Sequence, residues 1–228
     1  MQLNADFTRR AVVHAAGLNW VASPMKDVER RMLDRIGGEV ARATSIVRYA
    51  PRSQFSRHTH GGGEEFLVLE GVFQDEHGDY SAGTYVRNPP GTAHTPRSDR
   101  GCTIFVKLWQ FDPADRSSLS LDTGELAYYA DPARPGVELA ELFRDKNEVV
   151  TLERWRAGAE VPLPSPAGLE LLVLEGGFTE EGERFDYQSW LRLPSGASAR
   201  ASAGPTGCRV WAKRGHLARP PMACRIAG

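Results

Sequence analysis

Residues 65–71 read EFLVLEG and residues 170–176 read ELLVLEG, identical at six of seven positions and 105 residues apart. The same separation carries Pro89-Pro90-Gly91 onto Pro194-Ser195-Gly196, and a separation of 106 carries Arg48-Tyr49 onto Arg154-Trp155 and Gly101-Cys102 onto Gly207-Cys208. Upstream, VERRMLDRIGGEV (28–40) answers VELAELFRDKNEV (137–149). Similarity held in register over roughly ninety residues marks a duplicated unit, so whatever one half folds into, the other must also be able to form. The stretch between the copies, DPADRSSLSLDTGELAYYADPARPG, is rich in Pro, Asp and Ser and has no sustained period, as expected of a linker. The expected division is a first domain over 1–112, a linker over 113–136 and a second domain over 137–228.

Each copy consists of short segments of β type. ATSIVRYA (43–50), EEFLVLEG (64–71), GTYVRNP (83–89) and CTIFVKLWQF (102–111) are rich in β-branched and aromatic residues and are separated by Gly, Pro or Asp clusters. QDEHGDYSAG (74–83) has the composition of a hairpin turn. Convincing amphipathic helices are absent, although VERRMLDRI (28–36) could briefly pass for one. Many short strands punctuated in this way indicate an all-β protein of two tandem jelly-roll barrels. Basic and acidic residues nearly cancel, 28 against 29, and are mixed along the chain, which argues against nucleic acid or an anionic membrane as partner. No apolar run approaches the ~20 residues of a membrane span, and no secretory signal is visible. Cys102, Cys208 and Cys224 form no C-x-x-C pair. A sparse, odd set suits a reducing compartment, and the cytoplasm is the expected location.

Polar residues concentrate chemistry in the first copy. His58 and His60 alternate across Thr59, which on a strand directs both to one face. Gly61-Gly62-Gly63 permits a tight return of the chain with positive φ, bringing Glu64 to the same space. Pro90-Gly91 fits the central positions of a type II turn, and the strand after it carries His94. A lone H-x-H is more often a solvated or satisfied polar pair. Three imidazoles and a carboxylate converging inside a barrel suit one divalent first-row metal ion, with Fe(II), Mn(II), Ni(II) and zinc all acceptable to such ligands.

These residues resemble a named family. His58-x-His60-x3-Glu64-x6-Gly71, followed by Gly83-x5-Pro89-x-Gly91-x2-His94, is similar to the two motifs of the cupins, with Arg52 in place of the glycine that precedes the first motif and Ser98 in place of a frequent asparagine. More narrowly, HTHGGGEEFLVLEG resembles the cupin domain of ChrR-type anti-sigma factors. The resemblance implies a cupin fold, His58, His60, Glu64 and His94 as metal ligands, and zinc as the family precedent. It implies a protein that binds or senses a small molecule or reactive oxygen species. The alternative is a metal-dependent dioxygenase acting on a diketone-like or other oxygenated substrate, since similar stand-alone cupins include such enzymes. A third alternative is a non-catalytic structural or oligomerisation module. Direct sigma-factor binding is not expected, because the C-x-x-C zinc domain that does this in ChrR-type proteins has no counterpart here. Sheet packing of the kind many cupins use leaves a homodimer open.

The second copy serves as an internal control. At a separation of 105, His58, His60, Glu64 and His94 fall on Leu163, Ser165, Leu169 and Ala199, so all four ligands are missing while the strand core remains. The metal is therefore expected in the first domain alone, for a purpose other than folding. Cys102, matched by Cys208, reads as a buried structural thiol. Glu65 is a fallback ligand, but its counterpart Glu170 persists where no metal is expected. Lys107 and Trp109 have undecided strand parity, Arg57 is expected to point outward, and His14, His77 and His216 lie outside the pattern.

Overall fold

The computed structural model describes residues 1–38 and 40–218, so Cys224 and the end of the expected second domain lie outside the described residues. The regular structure is nearly all β. Among the described residues the helical elements are two three-residue 3-10 turns, Ala15–Gly17 and Thr123–Glu125. Among the described residues no helix is long and apolar enough to cross a membrane.

Two compact units form, and neither is continuous in sequence. Among the described residues, the first takes Met1–Ala5 and Leu18–Glu125, and the second takes Asp6–Gly17 and residues 126–218. In the first unit the antiparallel sheet runs Gln2–Leu3, Val28–Gly37, Ala41–Tyr49, Cys102–Leu108, Glu64–Asp75, Thr84–Asn88 and Leu119–Asp122. In the second it runs Tyr129–Ala130, Val137–Arg144, Val149–Trp155, Ala197–Arg214, Leu169–Glu180, Ser189–Leu193 and Ala11–His14. The same order of hairpins is thus laid down twice, as the repeat requires.

The closing strands of these two paths alter the expected domain boundaries. Leu119–Asp122, inside the stretch read as a linker, pairs with Thr84–Asn88. Tyr129–Ala130, also in that stretch, pairs with Val137–Arg144. Ala11–His14, placed in the first domain by sequence, pairs with Ser189–Leu193 of the second unit. Four-residue strands at a sheet edge carry too short a period to be read against a Pro- and Asp-rich background. VERRMLDRI, which could pass for a helix, is strand Val28–Gly37 with a register shift between Met32 and Asp34. That extra residue disturbs the two-residue period and imitates a helical one.

The repeated VLEG motif has a packing reason. In both units its glycine adopts positive φ (Gly71 at 73°, Gly176 at 64°). A Cβ on Gly71 would lie 2.2 Å from the Gly101 carbonyl oxygen, and one on Gly176 would lie 2.2 Å from that of Gly207. Only glycine admits so close a backbone approach. Alternate residues of the neighbouring strands then build the interiors. Phe66, Val68, Phe73, Val86, Cys102, Ile104 and Val106 form that of the first unit. Leu163, Leu169, Leu171, Val173, Leu191 and Val210 belong to that of the second, and each is fully buried. Cys102 and Cys208 are buried, and burial pushes their thiols up to about 11 and about 12, which keeps them protonated and unreactive at neutral pH.

The second unit also encloses a charged knot. Glu153, with no exposed surface, accepts two hydrogen bonds from Arg134 at 2.9 and 3.0 Å and one from the Trp155 indole at 2.9 Å, and pairs with Arg214 at 2.7 Å. Burial alone would raise its carboxyl, but Arg214 and Arg134 outweigh it and hold it at about 2, against an ordinary 4.5. A depressed carboxylate contributes stability that is fully present above about pH 4.5 and is lost as pH falls toward 2. Glu153→Gln leaves buried Arg134 and half-buried Arg214 short of a counter-charge and is expected to cost about 3–5 kcal/mol at neutral pH. Urea titrations across a pH series will check both points, because the gap between variant and wild type should shrink below pH 4.

Candidate metal centre

Two local structures bring the motif residues together. His58–Thr59 and Ala93–His94 form a separate two-stranded sheet in which His58 stands directly opposite His94. Directly opposed side chains on one face have Cβ atoms about 5 Å apart, and the two imidazole centroids lie 4.9 Å from each other. The turn before His94 closes through the Thr92 N–H donating to the Pro89 carbonyl at 3.2 Å, with Gly91 at φ 92°. It grips His60 from both sides, since the His60 N–H donates to Thr92 O at 2.8 Å and the Gly91 N–H to His60 O at 3.0 Å. Glu64 opens the long strand Glu64–Asp75, whose pairing with Leu108 and Asn88 fixes its carboxylate.

The result is one cluster in which a ligand atom from each of His58, His60, Glu64 and His94 lies within 4.8 Å of every other. His60, Glu64 and His94 are buried, whereas His58 is exposed, so the cluster is open to solvent on the His58 side.

The hydrogen bonds decide which nitrogen faces inward. His94 Nδ1 is 3.0 Å from Asp75 Oδ2, and a carboxylate only accepts, so Nδ1 carries the proton. Thr92 donates its hydroxyl proton to the Pro89 carbonyl at 2.7 Å, which leaves its oxygen to accept from His60 Nδ1 at 3.0 Å. His58 Nδ1 lies 3.3 Å from the Ser56 carbonyl, again an acceptor. All three rings therefore present an unprotonated Nε2 when neutral. His60 Nε2 and His94 Nε2 are 3.2 Å apart, and Glu64 Oε2 lies 3.3 and 3.5 Å from them. Asn88 donates to the same carboxylate oxygen at 3.3 Å. Two lone pairs and a carboxylate facing one another repel unless a proton or cation lies between them. Bonds of about 2.1 Å to one ion would space these donors by ~3–4 Å, as found. The residues present fit a divalent metal.

The same geometry sets their basicity. Burial lowers His60 below its ordinary value, with the Glu64 charge opposing. Burial acts likewise on His94, but the Asp75 hydrogen bond and the Glu64 charge outweigh it and raise this ring above its ordinary value. Asp75 also accepts from the His77 and Gly78 N–H groups and the Tyr80 hydroxyl, so it is fixed from four directions.

Other residues singled out by sequence go elsewhere. Glu65 points to the opposite face, buried, where it accepts from the Tyr85 hydroxyl at 2.7 Å and Arg87 at 3.0 Å. Lys107 faces that side too and donates to Thr44 at 3.0 Å. Arg57 points outward to Glu76 at 2.7 Å. His216 pairs with Glu170 at 3.0 Å. Sequence reasoning missed Asp75, Thr92 and Asn88. The position of Asp75 at the end of a strand running from Glu64 was the signal available for the first of these.

The fold assembled in this way is that of the cupins. It is similar to a cupin-2 conserved barrel domain protein from Leptotrichia buccalis (12% identity, TM-score 0.60, covering 89% of this chain and 95% of that one). A candidate dioxygenase from Nostoc punctiforme matches at 14% identity and a TM-score of 0.69, over 100% of this chain and 87% of its own. The Escherichia coli pirin YhhW, solved with nickel(II), matches at 13% identity and a TM-score of 0.65, over 90% and 98%. No curated protein sequence shows significant similarity to this chain. Residues 8–112, a little under half of the chain, match the ChrR Cupin-like domain family, in accord with the cupin fold of the structural neighbours.

Because a proton on His94 Nε2 competes with a metal ion, and Asp75 and Glu64 make this ring more basic, affinity for zinc or nickel should weaken as pH falls. Asp75→Asn keeps the shape but removes the charge. It should lower metal affinity about 10–100-fold and move the pH dependence to lower values, as isothermal titration at several pH values will show.

Proposed function

We propose that this protein is a two-barrel cupin that holds one divalent metal ion through His58, His60, Glu64 and His94 and presents it to a small oxygen-bearing molecule or reactive oxygen species. The convergence of three Nε2 lone pairs on the Glu64 carboxylate carries this reading. An ion held there would supply Lewis acidity toward an oxygen atom of the bound molecule. The chain's own residues do the rest. Asp75, Thr92 and the Ser56 carbonyl keep each ring in one tautomer, Asn88 orients Glu64, and the exposed edge of His58 gives the route of approach.

The second barrel, on this reading, carries no metal. In its sheet Leu163 pairs with Ala199, the counterparts of His58 and His94, and Leu169 replaces Glu64. Leu163 and Leu169 have no exposed surface, and each buried leucine contributes about 1.5–3 kcal/mol that a solvated polar cluster would not. Apolar packing is thus sufficient to form this fold, which supports a functional rather than structural purpose for the polar cluster in the first barrel. Cytoplasmic location, zinc as the resident ion, a small-molecule ligand and self-association into a homodimer remain part of the proposal.

A second reading, a dioxygenase, is favoured by the three-nitrogen, one-carboxylate donor set, which suits Fe(II), Mn(II) or Ni(II) as well as zinc. The candidate dioxygenase among the structural neighbours accords with it. Elemental analysis of protein purified without a chelating column separates the two. Stoichiometric zinc with no oxygen uptake supports binding or sensing, whereas iron, manganese or nickel with oxygen uptake on diketones supports the enzyme. The double variant His58→Ala/His60→Ala should lose metal binding yet keep a cooperative melt. A collapse of folding in that variant would assign the cluster to the core instead.

A further inference from the structure

Three glycines separate His60 from Glu64, and positive φ explains only one of them. Gly63 has φ 77°, while Gly61 and Gly62 have no such requirement. What they share is a neighbour. A Cβ on Gly61 would lie 2.9 Å from Trp109 Cζ2, and one on Gly62 would lie 2.5 Å from Cδ2 and Cε3 of the same indole. On Gly63 it would lie 2.4 Å from Cγ and Cδ2 of Phe111. The indole therefore lies across the backbone of Gly61 and Gly62, and the phenyl ring lies on Gly63. The main chains are joined as well, the Trp109 N–H donating to Gly63 O at 3.0 Å and the Phe111 N–H to Gly62 O at 3.3 Å. Phe111 is held in turn by Arg87, whose guanidinium is 4.3 Å from the ring centre and which pairs with Glu65 at 3.0 Å and Asp115 at 2.9 Å.

Trp109 adopts φ 59°, the left-handed region that a bulky aromatic residue rarely occupies. Strain of this kind persists where the surroundings over-determine it, often beside a functional site. Here the strained residue is the one whose ring covers the segment between two candidate ligands. Three consecutive glycines are the most flexible stretch a chain can contain, and left uncovered they would let His60 and Glu64 drift apart.

We propose that Trp109 is a positioning residue for the metal centre: its indole, set by a strained backbone, clamps Gly61 and Gly62 so that His60 and Glu64 stay converged before the ion arrives. This rests on the metal reading above, and it assigns the triple glycine to admitting the aromatic clamp more than to turning the chain.

The test uses the full chain and metal ions alone. Trp109→Gly accepts φ 59° without strain and keeps the backbone N–H, so only the ring is lost. Its melt should stay cooperative, since relief of the strained φ offsets part of the lost ring packing. Its affinity for Ni(II) and Zn(II), measured by isothermal titration, should fall about 10–100-fold, the usual effect of losing a group that orients a ligand. Trp109→Phe should restore most of that affinity. Gly62→Ala, which pushes on the ring from below, should lower it. The emission of Trp109, taken as wild type minus Trp109→Phe, should change on metal addition. Wild-type affinity in a folded Trp109→Gly overturns the clamp while leaving the metal reading intact. Absence of Ni(II) and Zn(II) binding by the wild type overturns the metal reading, and the clamp with it.

Discussion

The organising interaction is a mutual repulsion. Three imidazoles have each committed their Nδ1 proton to an acceptor outside the cluster, to Asp75, to Thr92 and to the Ser56 carbonyl. What remains facing inward is a set of lone pairs and one carboxylate, with two nitrogens only 3.2 Å apart. Burial of polar groups without partners is costly, and crowding acceptors together costs more. The surrounding sheet, turn and aromatic contacts hold the donors there in spite of this, an arrangement that fits a divalent cation between them.

That arrangement depends on the sheet being assembled from residues that tolerate very close backbone approach. Gly71 meets the Gly101 carbonyl at a distance no Cβ could share, and Gly176 repeats the contact with Gly207. With the strands locked, side chains alternate over Glu64–Val68, before the bulge opposite Thr103 and Ile104. Glu64 falls on the interior face and Glu65 on the opposite one, where it joins Tyr85 and Arg87. Adjacent glutamates with opposite surroundings follow directly from a two-residue period.

Much of this was legible from the chain alone, and the illegible parts share a cause. The duplicated VLEG segments, the Pro-Gly turn and the spacing of three histidines and a glutamate are local patterns, and the strands and the donor cluster follow them. Asp75 and Thr92 act on His94 and His60 across loops, at separations no motif encodes. Val28–Gly37 resembled a helix because a bulge broke its alternation. The edge strands Ala11–His14 and Leu119–Asp122 are four residues each and gain their structure from a distant partner strand. The triple glycine turns the chain as expected, with Gly63 at φ 77°, but the Trp109 ring over Gly61 and Gly62 leaves no trace in the sequence it covers.

The displaced origin of Ala11–His14 has a consequence for how the halves can be inherited. Ala11–His14 precedes the first repeat yet completes the sheet of the second, and Leu119–Asp122 precedes the second yet completes the sheet of the first. Severing the chain after Glu125 leaves Ala11–His14 on the first piece, although that strand completes the sheet of the second. A gene encoding the second repeat alone would lack that edge strand, so the ligand-poor half cannot be excised at the repeat boundary with its own sheet complete.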